Sequence, residues 1–337
     1  MRPKIFFVHS GNETFVKLDR KLLSASFDVK DFYVARKFPA EFMLYWRGIK
    51  RADILFCWFA SWNSFWALLI ARIFRKPSIM VIGGYDVADL PIADYGHQRG
   101  GLKKRVSRWA MGLANILIPF SKYSQQEAEK NAGIRADCMK VIYIGVPDAL
   151  VSLPTAVRER MALTVGKVEW PNLKRKGIEP FVCAAAYMSD VQFVVIGAWA
   201  DDSIEYLRSI ASSNVVFTGR VSDEELLDYY RRASVYVQAS LHEGFGLSVA
   251  EAMLAGCIPV VTHEGSLPEV VGDCGFYITS PDTSDVVKAI ETALNNSSLL
   301  MHVHARERVL SQFPMEKRRN SLEQIVNFVL SNENAKK

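Results

Sequence analysis

The sequence predicts an α/β protein with two domains, each built around a parallel β-sheet. Short apolar runs alternate along the chain with longer amphipathic stretches, and this alternation is typical of parallel sheets covered by helices on both faces. The chain has 337 residues, of which 50% are hydrophobic and 23% charged. This length and composition are enough for two domains of ordinary size, each with its own core.

The first series of elements consists of apolar strands separated by helices. The predicted strands are Ile5–His9, Ala52–Trp58, Ser78–Ile82, Ile116–Pro119 and Lys140–Ile144. The predicted helices are Trp62–Phe74, the basic stretch Arg99–Leu113, and Ser124–Ala132 with Ser121 as a candidate cap.

A second α/β series follows. Its predicted strands are Ala162–Val165, Gln192–Ile196, Val215–Phe217, Val235–Val237 and Ile258–Val261. Helices are predicted at Ile178–Ala186, Asp223–Arg232 and Met315–Leu330, and a basic loop at Gly166–Gly177. We place the boundary between about Pro147 and Val157, which gives domains at 1–150 and 151–312 and a final helical segment at 313–337.

Charge and cysteine content limit the partners and the compartment. Residues 1–150 carry 23 Lys and Arg against 13 Asp and Glu, and the remainder 18 against 23, so the net charges are +10 and −5. The basic first half favours an anionic partner there. The five cysteines form no C-x-x-C pair, the first apolar run is short for a signal peptide, and no apolar run approaches a membrane span. These features predict a cytoplasmic protein with reduced thiols.

The most informative segment runs from Val235 to Ile278. Its pattern is an apolar strand, a Gly-Phe-Gly turn, a helix that ends near Gly256, and a second apolar strand. The amino end of that helix presents unpaired N–H groups and a positive dipole end, which favour a phosphate or another anion. Glu243 stands just before the helix and Glu251 lies within it, so the two carboxylates could hold different hydroxyl groups of one ligand.

This segment resembles the signature of the retaining glycosyltransferases of family 4, the group 1 transferases with the GT-B fold. Glu243 and Glu251 have the family's Glu, seven residues, Glu spacing, and Leu267–Gly275 repeats another of its motifs. The resemblance covers residues 160–280 well and 50–148 more loosely. It implies two Rossmann-like domains whose parallel sheets face an interdomain cleft, with the C-terminal helix crossing back to the first domain.

The resemblance also implies roles for individual residues. Glu243 would hold a hydroxyl group of the donor sugar, and Lys167 and Lys176 would contact the diphosphate; these three are the candidate catalytic residues. Further substrate contacts are implied at Gly244, Phe245, Gly246 and Leu247 for sugar and phosphate, at Glu251 for the ribose, and at Gly219, Arg220 and Val221 for the base.

The implied activity is transfer of a hexose-type sugar from a nucleotide-diphosphate sugar to a glycan or lipid-linked acceptor, with retention of configuration. No cofactor is expected. We expect no metal either, because there is no convincing D-x-D motif, and Asp201-Asp202 read as a loop and helix start. A dinucleotide-binding fingerprint is disfavoured, because Val249 occupies its third glycine position.

Several readings stay open. Many members of the family carry a His where this chain has Gly83. A protein that binds a nucleotide sugar without turning it over is therefore an alternative to the glycosyltransferase, and a nucleotide-sugar epimerase is a third hypothesis. In the first domain, Gly11 and Asp86 are candidate substrate contacts; the plain reading of Asp86 is a turn residue. Glu251 and the lysines could also belong to solvated helix faces.

A basic and aromatic surface is predicted on the first domain. Its members are Trp46, Arg47, Lys50, Arg51, Lys103, Lys104, Arg105, Arg108 and Trp109. Such a surface can rest on anionic lipid, which would place the protein on the cytoplasmic face of a membrane; a solvated helix face is the alternative. No feature predicts a nucleic-acid partner.

Overall fold

The computed structural model of the chain describes residues 2–11, 13–35, 41–147 and 158–334. Its contacts divide the chain into two compact units. One contains the chain up to Gly145 together with the chain from Met315 onward, and the other is Val146–Pro314. The point at which we divided the domains, 150/151, lies outside the described residues.

The first unit is built on a five-stranded parallel sheet with strand order β2-β1-β3-β4-β5. The strands are β1 Lys4–His9, β2 Asp28–Tyr33, β3 Ile54–Trp58, β4 Ser78–Ile82 and β5 Ile116–Pro119. The helices are α1 Thr14–Ser26, α2 Phe42–Arg51, α3 Trp62–Ile73, α4 Gly101–Leu113 and α5 Lys122–Glu127, which continues as a π-helical turn over Ala128–Ala132. Every residue of β3 and β4 is buried or nearly so, as continuous apolar runs predict for central parallel strands.

Two details of this unit differ from the sequence prediction. Strand β2 was not predicted, because DVKDFY is largely polar; it lies at the edge of the sheet, where most of its side chains face solvent. The predicted strand Lys140–Ile144 is wrong. That segment runs beside β5, with backbone bonds from Lys140 N to Leu117 O (2.9 Å) and from Ile142 N to Pro119 O (3.0 Å), but pairs only through an isolated bridge at Met139.

The second unit is built on a six-stranded parallel sheet with strand order β11-β10-β9-β6-β7-β8. The strands are β6 Glu159–Val165, β7 Gln192–Ile196, β8 Val215–Gly219, β9 Ala233–Gln238, β10 Ile258–Thr262 and β11 Phe276–Ile278. The helices are α6 Trp170–Arg175, α7 Ile178–Ala184, α8 Ser203–Ile210, α9 Asp223–Arg232, α10 Leu247–Leu254, α11 Leu267–Val271, α12 Thr283–Asn295 and α13 Leu299–Gln312.

Most elements of this unit form where local sequence signals predict them. The predicted start of α9 at Asp223 is confirmed, and the helix is capped: the Ser222 side chain accepts from the backbone N–H of Glu225, and the Glu225 carboxylate accepts from that of Ser222. The predicted loop Gly166–Gly177 is wrong in part, since it contains α6. That helix puts Arg175 inside and Lys174 outside, a distinction that a run of three basic residues does not reveal.

The last helix, α14 (Met315–Asn334), belongs to the first unit although it follows the second along the chain. It packs against α1. Arg318 on α14 pairs with Asp19 on α1 through Nε–Oδ1 at 2.9 Å and Nη2–Oδ2 at 2.6 Å. The two side chains are 2% and 3% exposed. Arg318 also donates to the carbonyl oxygens of Ile142 and Tyr143. The expected return of the last helix to the first domain is therefore confirmed.

Candidate active site

The second sheet reverses its direction of growth between two neighbouring strands. From β6 the chain adds β7 and β8 on one side, and it then returns to add β9, β10 and β11 on the other. Ligands of open parallel sheets bind beyond the carboxyl ends of the strands at such a switch point. The segments that follow β6 and β9 meet there, and they carry Lys176 and Glu243 respectively.

The carboxylate of Glu243 is held from several directions. Its Oε1 lies 3.2 Å from Lys176 Nζ and accepts from Gln238 Nε2 at 3.2 Å and from Ser240 Oγ at 3.3 Å. The Lys176 and Glu243 side chains are 19% and 14% exposed. The pair is therefore partly sheltered from solvent, and its charges interact more strongly than exposed charges would.

Electrostatics keep Glu243 ionised. Burial acts to raise the pKa of its carboxyl group, but the positive charges of Lys176 and Arg175 outweigh burial, and the pKa is lowered from its ordinary value. An ionised carboxylate only accepts hydrogen bonds. Glu243 is thus suited to holding a hydroxyl group of a ligand near neutral pH and unsuited to donating a proton.

The turn after Glu243 is fixed by its own backbone. Ser266 donates to the Glu243 carbonyl oxygen through both its N–H (2.9 Å) and its hydroxyl group (3.0 Å). Gly246, the residue before α10, has φ +84°, a conformation that glycine adopts without strain. The Phe245 ring is buried and packs edge-on against Phe313 at 5.3 Å, so of this residue the backbone is the part that a ligand could approach.

The two predicted phosphate-binding lysines differ in their surroundings. Lys176 lies across the end of β6, where a Cβ atom on Gly166 would be 3.0 Å from its Cδ. Lys167 is 55% exposed and pairs with Glu169 at 2.5 Å. The structure thus brings Lys176 to Glu243 and pairs Lys167 with a neighbouring carboxylate instead.

Sequence reasoning missed the residues that support Glu243. Arg175 is buried, and its guanidinium donates to Asn172 Oδ1 (2.6 Å from Nη2) and to the His242 carbonyl oxygen (3.5 Å). Gln238 and Ser240 stand at the end of β9, two residues apart. The polar residues that close an otherwise apolar strand were the available signal for Gln238 and Ser240.

Glu251, on α10, has a different environment. Burial raises the pKa of its carboxyl group to about 7, against a hydrogen bond that the Tyr230 hydroxyl group donates at 3.4 Å. Tyr230 is itself fully buried. The two glutamates of the motif are therefore in different electrostatic states: Glu243 is ionised, and Glu251 titrates near neutral pH.

Replacing Glu251 by glutamine is expected to stabilise the ligand-free protein in a pH-dependent way. The pKa of Glu251 in the folded state is above its ordinary value of 4.5, so its favourable contribution is complete below pH 4.5 and is lost as the pH rises through 7. The gain in unfolding free energy from Glu251→Gln should be about 2 kcal/mol larger at pH 8.5 than at pH 5.5. Denaturant unfolding at both pH values measures this difference.

The exposed Glu224, on α9, provides the control: Glu224→Gln should change stability by less than about 0.5 kcal/mol at either pH. An equal gain from Glu251→Gln at both pH values would contradict the expectation.

The predicted base-contacting turn begins at Gly219, the last residue of β8. Arg220 is exposed, and a Cβ atom on Gly219 would lie 3.6 Å from the Trp199 indole. Trp199 is 43% exposed and carries the Arg208 guanidinium 4.6 Å from its ring centroid. An exposed tryptophan beside this turn was not anticipated; its position just after the end of β7 was the available signal. The role of Gly219, Arg220 and Val221 stays a prediction.

In the first unit, Asp86 is 1% exposed, and its carboxylate is hydrogen-bonded by backbone N–H groups. Its carboxylate accepts from the N–H groups of Ala60 (3.0 Å), Gly83 (3.2 Å) and Gly84 (3.0 Å), which ties the loop after β3 to the loop after β4. Burial raises its pKa, against these hydrogen bonds. Asp86 thus has the contacts of a positioning residue, and substrate contact by it stays a prediction.

The loop after β4 explains why histidine is absent at position 83. Gly83 has φ +136°, and a Cβ atom there would lie 2.7 Å from Ser124 Oγ. Ser124 also donates to the Gly83 carbonyl oxygen at 2.8 Å. The present loop therefore has no room for a histidine side chain. Gly11, the other predicted contact, lies in the loop after β1, and its carbonyl oxygen is 2.6 Å from His9 Nδ1.

The described part of the chain contains neither a metal-binding cluster nor a helix that could span a membrane. Within residues 2–11, 13–35, 41–147 and 158–334, no group of three or more His, Cys, Asp or Glu side chains is placed to hold a metal ion. In the same ranges, no helix combines the length and apolar character needed to cross a bilayer. The five cysteines are free thiols, of which Cys57 and Cys257 are buried and Cys138 is exposed.

Comparison with known proteins agrees with this geometry. Residues 159–296 match the family model described as Glycosyl transferases group 1. The serotype-specific mannosyltransferase WbdA of Escherichia coli is 33% identical over 96 residues, which are 28% of this chain and 12% of that protein. The O-antigen chain mannosyltransferase B of Escherichia coli is 39% identical over 93 residues, 27% of this chain and 24% of that protein. This chain thus aligns with only a small part of these relatives.

The similarity to one solved structure of another protein extends over nearly the whole chain. The crystal structure of HepE from Anabaena in complex with UDP and glucose is 19% identical, with a TM-score of 0.76 over 96% of this chain and 99% of that one. This likeness confirms the two-sheet α/β fold that the GT-B resemblance implied. The matched residues contain both Glu243 and Lys176. Most of the second unit is therefore similar to the group 1 glycosyltransferases.

Proposed function

We propose that this chain transfers a hexose-type sugar from a nucleotide-diphosphate sugar to a glycan or lipid-linked acceptor, with retention of configuration and without a metal. The observation that carries the proposal is the sheltered Lys176–Glu243 pair at the switch point of the second sheet, within residues that match group 1 glycosyltransferases. The two relatives named above are mannosyltransferases, which supports a hexose as the transferred group.

In this proposal the second unit binds the donor. The ionised Glu243 accepts a hydrogen bond from a sugar hydroxyl group, and Glu251 accepts from the ribose. Lys176 and the backbone N–H groups at the start of α10 stabilise the negative charge that develops on the departing diphosphate. The acceptor oxygen attacks from the face that the diphosphate leaves, and a phosphate oxygen takes its proton, so no protein base is required.

The test is a donor panel. Purified protein is incubated with UDP-, GDP-, ADP- and dTDP-hexoses, first alone and then with candidate acceptors, and nucleoside diphosphate release is measured. We expect slow hydrolysis of one donor and faster release when the right acceptor is present. Tight donor binding without any release would favour the alternative, a binding protein without turnover, for which the occupied space around Gly83 is the specific observation. Release of an epimerised donor without acceptor would indicate the epimerase.

The proposal includes contact between the first unit and an anionic membrane. Helices α2, α3 and α4 contain eight Lys and Arg and no Asp or Glu. They pack side by side, and they expose Met43 (53%), Leu44 (53%), Leu102 (56%) and Trp109 (53%). Basic residues beside exposed apolar side chains are the pattern of interfacial lipid binding.

Vesicle flotation measures this contact. The protein should float with vesicles that contain 30% phosphatidylglycerol and stay behind with pure phosphatidylcholine. Replacing Lys104, Arg105 and Arg108 together by glutamine should lower the bound fraction at least tenfold, because each basic residue near the surface contributes about 1 kcal/mol. A triple variant of the exposed Lys174, Arg160 and Lys288 in the second unit is the charge-matched control. Equal loss with both variants would contradict a specific surface.

A further inference from the structure

The first unit contains a cavity of about 560 Å³ between the starts of α3 and α4. Its apolar walls are Trp62, Trp66 and Val106, and its polar groups include Lys103 and His97. A volume of this size is ordinary for a small-molecule site. Trp62 is 43% exposed, so an indole surface faces solvent at the cavity instead of being used in the core.

The charge at the cavity is positive. Lys103 is exposed, and among the described residues no carboxylate lies within ion-pair distance of its ammonium group. Asp86, a buried acid whose charge acts on His97, already accepts from three backbone N–H groups. Burial lowers the pKa of His97, whose Nδ1 lies 3.2 Å from the Ala60 carbonyl oxygen. Lys103 is therefore the cation that an anionic ligand would meet.

The surface around the cavity is apolar and basic as well. Leu102 is 56% exposed and immediately precedes Lys103, and Trp109 lies two turns further along α4. Helices α3 and α4, which form the walls, contain no acidic residue. A ligand for this place therefore combines a hydrocarbon body with a negative charge. A sugar phosphate would supply the charge but not the hydrocarbon.

We propose that this cavity binds a lipid phosphate, with its hydrocarbon chain against Trp62, Trp66 and Val106 and its phosphate group on Lys103. A role for this lipid phosphate as the acceptor of the transferred sugar rests on the proposed function, but its binding in the cavity does not. The charge-assisted contact at Lys103 and the buried hydrocarbon act together, so removal of either should weaken binding.

Calorimetric titration of the full chain with geranyl phosphate tests the proposal. Lys103→Gln and Trp62→Ala should each raise the Kd at least tenfold. Lys104→Gln and Trp109→Ala, which remove the same groups from the same surface outside the cavity, should change it less than twofold. Geraniol and inorganic phosphate should each bind at least tenfold more weakly than geranyl phosphate. The thermal unfolding midpoint of each variant shows that it is folded.

Three results would overturn the proposal. They are equal weakening by Lys103→Gln and Lys104→Gln, equal weakening by Trp62→Ala and Trp109→Ala, and binding of mannose 1-phosphate or inorganic phosphate as tightly as geranyl phosphate. These outcomes are separable from failure of the proposed function, because the titration contains no nucleotide sugar. If geranyl phosphate binds but no donor is turned over, the glycosyltransferase proposal fails; if a donor is turned over with a lipid-free glycan and geranyl phosphate is not bound, the cavity proposal fails.

Discussion

Replacing Lys176 by alanine is expected to lower kcat/KM for the nucleotide-sugar donor by about 10²- to 10³-fold. Lys176 is the partly buried cation at the switch point of the second sheet, 3.2 Å from Glu243. Its proposed work is to stabilise charge on the departing diphosphate, and a cation in a sheltered site does this far better than one in bulk water. The effect should fall mainly on kcat, because the charge grows as the bond to the sugar breaks. Steady-state kinetics with the donor found in the panel measure it.

Lys174 provides the matched control. It lies two residues earlier in the same basic run but is exposed, and Lys174→Ala should change kcat/KM less than threefold. Because Lys176 and Glu243 touch, their substitutions should not be additive: Glu243→Gln should cost less activity in the Lys176→Ala protein than in the unmodified protein. Normal turnover by Lys176→Ala would remove the central residue of the proposed mechanism.

Replacing Asp19 by alanine is expected to lower the unfolding free energy of the first unit by about 3–5 kcal/mol. The change would leave the Arg318 guanidinium, which is 2% exposed, without its carboxylate partner. The remaining bonds to the Ile142 and Tyr143 carbonyl oxygens satisfy donors but do not balance the charge. Thermal and denaturant unfolding, followed separately for the two units where their transitions are resolved, measure the loss.

The same helix supplies the comparison. Glu316 and Arg319 on α14 form an ion pair in which both side chains are about half exposed, at 58% and 41%. Glu316→Ala should therefore change the unfolding free energy by less than about 1 kcal/mol. If Asp19→Ala and Glu316→Ala had equal effects, the buried pair would not be what holds α14 to the first unit.

The fold could be predicted where the relevant signal is local. Central strands such as β4 are continuous apolar runs, and the start of α9 is set by Ser222 and Glu225 within one turn. The polar edge strand β2 was missed because it buries few side chains and so leaves little pattern in the sequence. Segment 140–144 was mistaken for a strand because Ile142 and Ile144 are buried although the segment has no continuous strand pairing.

The identities of the candidate site residues could be predicted from the sequence, but their surroundings in the fold could not. The motif located Glu243 and Glu251, but it does not show that Lys176 and Arg175 lower the pKa of Glu243 or that burial raises the pKa of Glu251. The pairing of Asp19 with Arg318 spans 299 positions. Contacts of this kind result from the way strands and helices are stacked, and periodicity within one segment carries no information about them.

The return of α14 to the first unit has a practical consequence for dissecting the protein. The chain passes between the units twice, after Gly145 and after Pro314, so the second unit is one continuous stretch while the first is made of two. Within the first unit the two ends meet: a Cβ atom on Gly145 would lie 2.9 Å from the Met315 Cα. Each unit could therefore be made as a separate polypeptide: the second as Val146–Pro314, and the first with a short glycine bridge that joins Gly145 to Met315. Simple truncation after Gly145 would instead remove α14 from the first unit and expose Asp19.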